Sequence, residues 1–293
     1  MNKTSTELTA IETNTPSPII KSVAIQGVKG SFHHIVSQQY FDPSINVQAC
    51  MTFDEVVESV LNGTSDAAIM ALENSIAGSI LPNYALIDDH DLHVVGEHYL
   101  DIQHCLMALP HQEIADITEV YSHPMALLQC KAFFKNHPHI KLIEDKDTAE
   151  VAERIQKKQL KNVAAIASQL AAELFELTIL AKSIQTIKSN ETRFVIVERE
   201  RSTLNKNDIN KASLKLELDH KRGSLAALLN VLSDCKLNLT KIQSLPKIET
   251  PWKYAFFIDV TFESYADFEK AKAIVSLMAQ DMKVLGAYKN ARL

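Results

Sequence analysis

Val23-Ala24-Ile25-Gln26-Gly27-Val28-Lys29-Gly30-Ser31-Phe32 is an apolar run, then a tight loop framed by two glycines, then the start of a helix-like stretch. The chain has only seven glycines in 293 residues, so their positions are informative. The pattern returns at Ala67–Leu72, an apolar run followed by Glu73-Asn74-Ser75-Ile76-Ala77-Gly78. Both stretches read as strand, loop and helix start, a junction that can aim backbone N–H groups at an anion without metal or lysine. The first expectation is therefore a site for a small acid.

Outward from these loops, Lys21 to about Val197 alternates between short apolar strands and helical segments. Val23–Ile25, Ala67–Leu72, Val94–Val95, Val120–Tyr121, Val163–Ile166 and Phe194–Val197 read as strands. Asp54–Leu61, Ala126–Lys135 and Thr148–Lys157 carry apolar residues at three- and four-residue spacing, and Asp147 with Glu150 resembles a capped helix start. The alternation predicts an α/β domain over 21–198 with a mostly parallel sheet. The charged stretch 199–211 reads as a linker. Residues 212–293 then give Ser213–Leu218, Gly223–Cys235, Leu239–Ser244, Tyr254–Thr261, Tyr265–Gln280 and Lys283–Tyr288, in the order βαββαβ, which is ferredoxin-like. A unit this small is expected to pair with another copy.

With 46% hydrophobic and 23% charged residues, the chain can bury a sizeable core. A net charge of −6 and no basic stripe argue against nucleic acid as a partner. No apolar run is long enough to span a membrane. Residues 1–20, polar and without a signal-peptide pattern, read as a loose tail, and the reading is cytoplasmic. Cys50, Cys105, Cys130 and Cys235 are far apart in apolar settings and read as reduced buried thiols. The eleven histidines are scattered and no metal-ligand spacing occurs, so no metal is expected.

Four motifs carry the chemistry. Gly27–Ser31 lacks the ending of a nucleotide loop; alone it fits a plain turn as well as a carboxylate cradle built by Gly30 and Ser31. Glu73-Asn74-Ser75 offers a carboxylate, an amide and a hydroxyl, which alone would fit helix capping. Tyr121-Ser122-His123-Pro124 precedes a helix carrying Gln129, and His123 fits a structural hydrogen bonder or an acid–base group. Thr192-Arg193-Phe194 opens a strand, where the arginine suits either a carboxylate or an ordinary ion pair.

Together, in this order, the motifs resemble those of the prephenate dehydratase family: a G-x-x-G-[ST]-[FY] loop at Gly27–Phe32, Glu-Asn-[ST]-x-x-Gly at Glu73–Gly78, Tyr-Ser-His-Pro at Tyr121–Pro124 with Gln129-Cys130, and Thr-Arg-Phe at Thr192–Phe194. Ala164–Ser168 with Ala171-Ala172 is also similar to a family segment. The last unit resembles an ACT domain, with Gly223-Ser224-Leu225-Ala226 and Asn238-Leu239-Thr240 in place. Its usual Glu-Ser-Arg-Pro stands here as Gln243-Ser244-Leu245-Pro246, which puts effector binding or its signalling in question.

The resemblance implies two α/β lobes like a periplasmic binding protein, with the site in the cleft. It implies decarboxylating dehydration of prephenate to phenylpyruvate in phenylalanine biosynthesis, driven by aromatisation and without a cofactor. It assigns Thr192, Asn74, Ser122, Gln129 and Glu73 to catalysis, and Gly30, Ser31, Ser75, Arg193 and Phe194 to substrate. Phenylalanine is expected as effector at Gly223, Ser224, Leu225 and Ala226 of one chain and Asn238, Leu239 and Thr240 of another, in a homodimer or homotetramer. The tail is too short for a fused chorismate mutase. Two other readings stay open: an arogenate dehydratase, and a non-catalytic amino-acid sensor.

Overall fold

The computed structural model describes residues 20–200, 205–219, 221–247 and 253–292. The expected loose tail lies outside them, save Ile20. Three sheets organise the described residues. The first holds β1 (Ser22–Gln26), β2 (Asn46–Cys50), β3 (Ala67–Asn74), β4 (Gly78–Ser79), β5 (His93–Asp101) and β11 (Glu191–Glu198), in the order β2-β1-β3-β11-β5 with β4 on β3. The second holds β6 (Cys105–Ala108), β7 (Glu119–Ser122), β8 (Lys141–Glu144), β9 (Val163–Ala167) and β10 (Thr178–Ala181), in the order β10-β6-β9-β7-β8.

Both sheets are mixed, not mostly parallel. β11 runs antiparallel to β3 and β5, and β6 runs antiparallel to β9 and β10. The physical reason is the chain path. The chain leaves the first sheet after β5, builds the whole second sheet, and returns as β11, inserted between β3 and β5. Two crossings, 102–104 and 182–190, therefore join two lobes. Pairing across such a distance leaves no local trace in sequence.

The expected cap at Asp147 is present, and three more helices start on capping side chains. α1 (Phe32–Tyr40) is capped by Ser31, α2 (Phe53–Leu61) by Thr52, α4 (Pro124–Phe134) by His123, and α5 (Thr148–Lys158) by Asp147. Each cap side chain accepts a first-turn N–H, satisfying a donor the helix itself cannot pair. α3 (Leu81–Asp89), with Pro82 in its first turn, and the short α6 (Gln169–Leu174) complete the set.

The third sheet holds β12 (Lys211–Glu217), β13 (Asn238–Pro246), β14 (Tyr254–Thr261) and β15 (Asp281–Tyr288), all antiparallel, ordered β13-β14-β12-β15. With α7 (Ser224–Asp234) and α8 (Tyr265–Met278) it is a ferredoxin-like βαββαβ unit. β12 begins at Lys211, the last residue of the expected linker. This unit does not hang free. One apolar cluster runs from Ala68, Val195 and Val197 of the first sheet into Ala255, Phe257, Leu285 and Tyr288. At Gly286 the approach is so close that a Cβ would lie 2.0 Å from the Val94 carbonyl oxygen, so only glycine fits. All four cysteines are buried and free.

Candidate active site

A cavity of about 570 Å³ lies between the two lobes. Asn74, Thr192 and Phe194 come from the first sheet, with Ser31, Phe32 and His33 from the start of α1. His123, Met125, Ala126 and Gln129 come from the start of α4, and Lys146, Asp147 and Thr148 from the start of α5. The N-termini of α1, α2, α4 and α5 all open onto it, each presenting the positive end of its dipole. Lys146 is its only lysine or arginine among the described residues, and the sequence reading missed it.

Strand geometry decides which motif residues arrive. Side chains alternate across a strand. In β11, Thr192 and Phe194 face the cavity and Arg193 points away. In β3, Asn74 faces it, while Glu73 and the following Ser75 line a separate groove against the third sheet. Asn74 and Thr192 are direct register partners, and Asn74 Nδ2 donates to Thr192 Oγ1 at 2.9 Å.

Five sequence assignments need correction. Arg193 is not aimed at substrate: it is 4% exposed, donating to Glu97 Oε2 at 2.7 Å, to the Tyr288 hydroxyl at 2.8 Å and to Asp259. Lys211 joins from the other side, 2.7 Å from the same Glu97 oxygen. Glu73 is held by Lys241 at 2.6 Å, outside the cavity. Ser75 caps the edge of β11 by accepting Glu191 N–H at 3.0 Å. Ser122 is fully buried and donates to the Ile166 carbonyl at 2.7 Å, so its hydroxyl ties β7 to β9.

Gly30 does not cradle an anion either. Its N–H donates to His34 Nδ1 at 3.0 Å and its carbonyl accepts from Ser168 Oγ at 2.6 Å. Its φ is +91°, and an added Cβ would stand 3.0 Å from Ala171 Cα. Gly27, at φ +93°, similarly leaves room for the Asp147 carboxylate, 2.9 Å from where a Cβ would sit. The glycines of this loop serve close contact between the lobes. Ser31 and Phe194, also assigned to substrate, line the cavity.

Three further residues at the site escaped the sequence reading. Asn190, fully buried, accepts from Asn74 Nδ2 at 2.7 Å and donates to Gln129 Oε1 at 2.9 Å. His104 meets that same Gln129 oxygen through Nε2 at 2.9 Å. Its backbone N–H donates to Gln185 Oε1 at 3.0 Å, and burial lowers its pKa although the Gln129 bond raises it. His33 stands edge-on to Phe194, ring centroids 4.9 Å apart, and its Nε2 has no partner. Asp147 also lines the cavity. Burial pushes its carboxyl up, against the pull of the Glu150 and Ala149 N–H groups and of His123.

Burial lowers the His33 pKa from 6.5 to about 3. Between those values the unfolded chain carries a proton at this residue that the folded chain does not. Stability from this residue is therefore full above about pH 6.5 and falls as the solution is acidified, at up to about 1.4 kcal/mol per pH unit. Urea unfolding at pH 7.5 and pH 5.0 should show the parent losing about 2 kcal/mol more than His33→Leu. Equal losses in the two proteins would show that His33 is not the group buried neutral.

The chain is similar to known proteins along most of its length. The family model described as prephenate dehydratase matches residues 23–202. The bifunctional chorismate mutase/prephenate dehydratase of Escherichia coli (strain K12) is 31% identical over 281 residues, covering 94% of this chain and 72% of the relative. The arogenate dehydratase/prephenate dehydratase 2, chloroplastic, of Arabidopsis thaliana is 36% identical over 278 residues, covering 91% and 72%. Among solved structures, prephenate dehydratase from Staphylococcus aureus subsp. aureus Mu50 is 26% identical with a TM-score of 0.78, covering 92% of this chain and 100% of that one. GqqA, described as a novel type of quorum quenching acylase, is 28% identical with a TM-score of 0.82, covering 92% and 98%. A match of this length to the family model, over a cleft that joins its Asn74 and Thr192 motifs, places the chain in the prephenate dehydratase family.

Proposed function

We infer that the cleft between the lobes is where this chain turns prephenate into phenylpyruvate. The chain is a carbon–oxygen lyase of phenylalanine biosynthesis. Prephenate loses carbon dioxide and its ring hydroxyl together, and the gain of an aromatic ring drives the step. The observation that carries the assignment of the site is the Asn74–Thr192 pair in the wall of a cavity rimmed by four helix N-termini and Lys146.

The substrate is a dianion. The N–H groups of a helix's first turn have no partners within the helix, and the dipole favours negative charge there. The starts of α1 and α4 and the Lys146 ammonium supply that environment from opposite lobes. Phe32, Phe53, Met51 and Ile80 wall the cavity with apolar surface, which strengthens the electrostatic contacts and leaves the departing carboxylate poorly solvated. The Thr192 hydroxyl hydrogen-bonds the leaving oxygen, and the Gln129 amide adds a second donor that engages as the bond breaks. An interaction that grows as the C–O bond breaks lowers the barrier.

The third sheet acts as an ACT regulatory domain in this reading, binding phenylalanine between two copies. Gly223, at φ +87°, starts α7, and Ser224 and Leu225 line a separate cavity of about 340 Å³ with Lys221, Lys253 and Tyr254. Asn238, Leu239 and Thr240 lie beyond the far end of α7, roughly 16 Å away at 1.5 Å per residue, so a second copy has to bring them to the effector. β13 is a sheet edge with Ile242 42% exposed, which suits pairing between copies. In the altered family motif, Leu245 packs against the core shared with the first sheet. Among the described residues no helix is long and apolar enough to cross a membrane.

Incubation with prephenate should yield phenylpyruvate, read by its absorbance in alkali, and millimolar phenylalanine should lower the initial rate. The same kinetics on arogenate measures the preference between the two substrates. Absence of phenylpyruvate would overturn the catalytic reading. An unchanged rate with no heat of binding would overturn the regulatory one.

A further inference from the structure

The hydrogen bonds around Thr192 form a line in which every direction is fixed. Asn74 Oδ1 accepts from the N–H groups of Ile76 at 3.0 Å and Ala77 at 2.9 Å. Two backbone donors on that atom oblige the Asn74 amide nitrogen to face the other way, where it donates to Asn190 Oδ1 and Thr192 Oγ1. With its Oδ1 occupied, Asn190 turns its own nitrogen to Gln129 Oε1. That oxygen also receives His104 Nε2, which must therefore carry its proton there. A carbonyl oxygen has two lone pairs and both are now used, so Gln129 has its amide nitrogen left for the cavity.

We propose that Asn190 is a positioning residue for the reaction: bonded at one end to Asn74 and at the other to Gln129, it fixes the direction of both amides, so that Thr192 and Gln129 both offer donors to the substrate. A hydroxyl whose oxygen already accepts from Asn74 has its hydrogen free to give, and among the described residues no acceptor takes it. Asn190 also ties the lobes. It lies at the end of the returning crossing, and its carbonyl accepts the N–H of Ile102 on the outgoing crossing at 2.6 Å. Asn74 and Thr192 belong to the first sheet, Gln129 to the second lobe, so the donor set is complete only when Asn190 spans them. The inference rests on the dehydratase reading of the cleft.

The test is Asn190→Asp. It keeps an acceptor for Asn74 but sets an acceptor against Gln129, which turns its nitrogen toward the new carboxylate and its oxygen toward the cavity. For prephenate, kcat should fall at least about tenfold while KM stays within about threefold, since the lost interaction belongs to the transition state. Asn190→Ala, which removes the same donor without adding charge, should act in the same direction and is read alone if thermal melting shows the aspartate variant unfolded. Adding Gln129→Ala to Asn190→Asp should cost no more than the worse single change, because both break one line. A kcat within twofold in the folded variants, a rise in KM that matches the fall in kcat, or losses that multiply would each overturn the role of Asn190. The parent protein in the same assay keeps the two readings apart. An inactive parent sinks the dehydratase reading, whereas an active parent with an unaffected variant sinks only the positioning role.

Discussion

Thr192→Val should lower kcat for prephenate by about two to four powers of ten, with KM changed little. Valine keeps the branched shape, so β11 and its packing persist. What disappears is one hydroxyl in a cavity wall, whose oxygen accepts from Asn74 and whose hydrogen is left free to donate. In the mechanism proposed above, that hydrogen meets the leaving oxygen as charge develops on it, which is where a single donor has its greatest effect. Thr192→Ser should retain much of the activity, since the donor remains. Steady-state kinetics on both variants, with melting curves to confirm folding, make the check. A valine variant within about threefold of the parent would remove Thr192 from the mechanism.

Arg193→Met should be costly in a different currency. Arg193, one residue along the same strand, is sealed among Glu97, Asp259 and Tyr288, with Lys211 alongside. Removing it leaves two buried carboxylates with one nearby cation. Breaking a buried pair in this way costs about 3–5 kcal/mol, or a melting temperature lower by roughly 10 °C in a chain of this size. KM for prephenate should be unaffected, because the guanidinium faces away from the cavity. Weaker substrate binding at an unchanged melting temperature would restore the reading of Arg193 as a carboxylate grip. The cluster does not confuse the acid test on His33. Burial raises the Asp259 pKa, but Arg193, Ser213 and Lys211 outweigh it and hold the carboxyl below its usual value. Its contribution is thus present above the ordinary carboxylate range and lost only as pH falls through the depressed value, well below pH 5.

Much of this was legible in the sequence, and the failures have physical causes. The ferredoxin-like unit was readable because strands such as Tyr254–Thr261 and helices such as Gly223–Cys235 carry dense apolar patterns. The family was readable because four motifs stand in a specific order. The motifs still mislead if every residue is given to the substrate. A strand shows alternate residues to opposite faces, so Thr192 and Phe194 reach the cavity while Arg193 cannot. The same rule separates Asn74 from Glu73. It also held the one available signal for Asn190, which is two residues before Thr192 in an extended stretch and shares its face. Short strands such as Asn46–Cys50 and Lys141–Glu144 escaped because four or five residues, half of them exposed, carry little pattern. Lys146 and His104 sit in loops and gain their meaning only when the second lobe folds over the first.

The arginine cluster bears on how freely this protein could be recombined. Glu97 and Arg193 come from the strands of the first lobe, Lys211, Ser213, Asp259 and Tyr288 from the terminal sheet. Neither half is electrically complete. A chain cut after β11 would expose Arg193 and Glu97 to solvent along with the apolar surface that covered Phe257 and Leu285. A foreign terminal unit grafted in its place would need an acid at position 259 and a glycine at 286 before it could seat. Modules that look interchangeable on a diagram of domains share a lock here, and its tumbler is the residue beside Thr192.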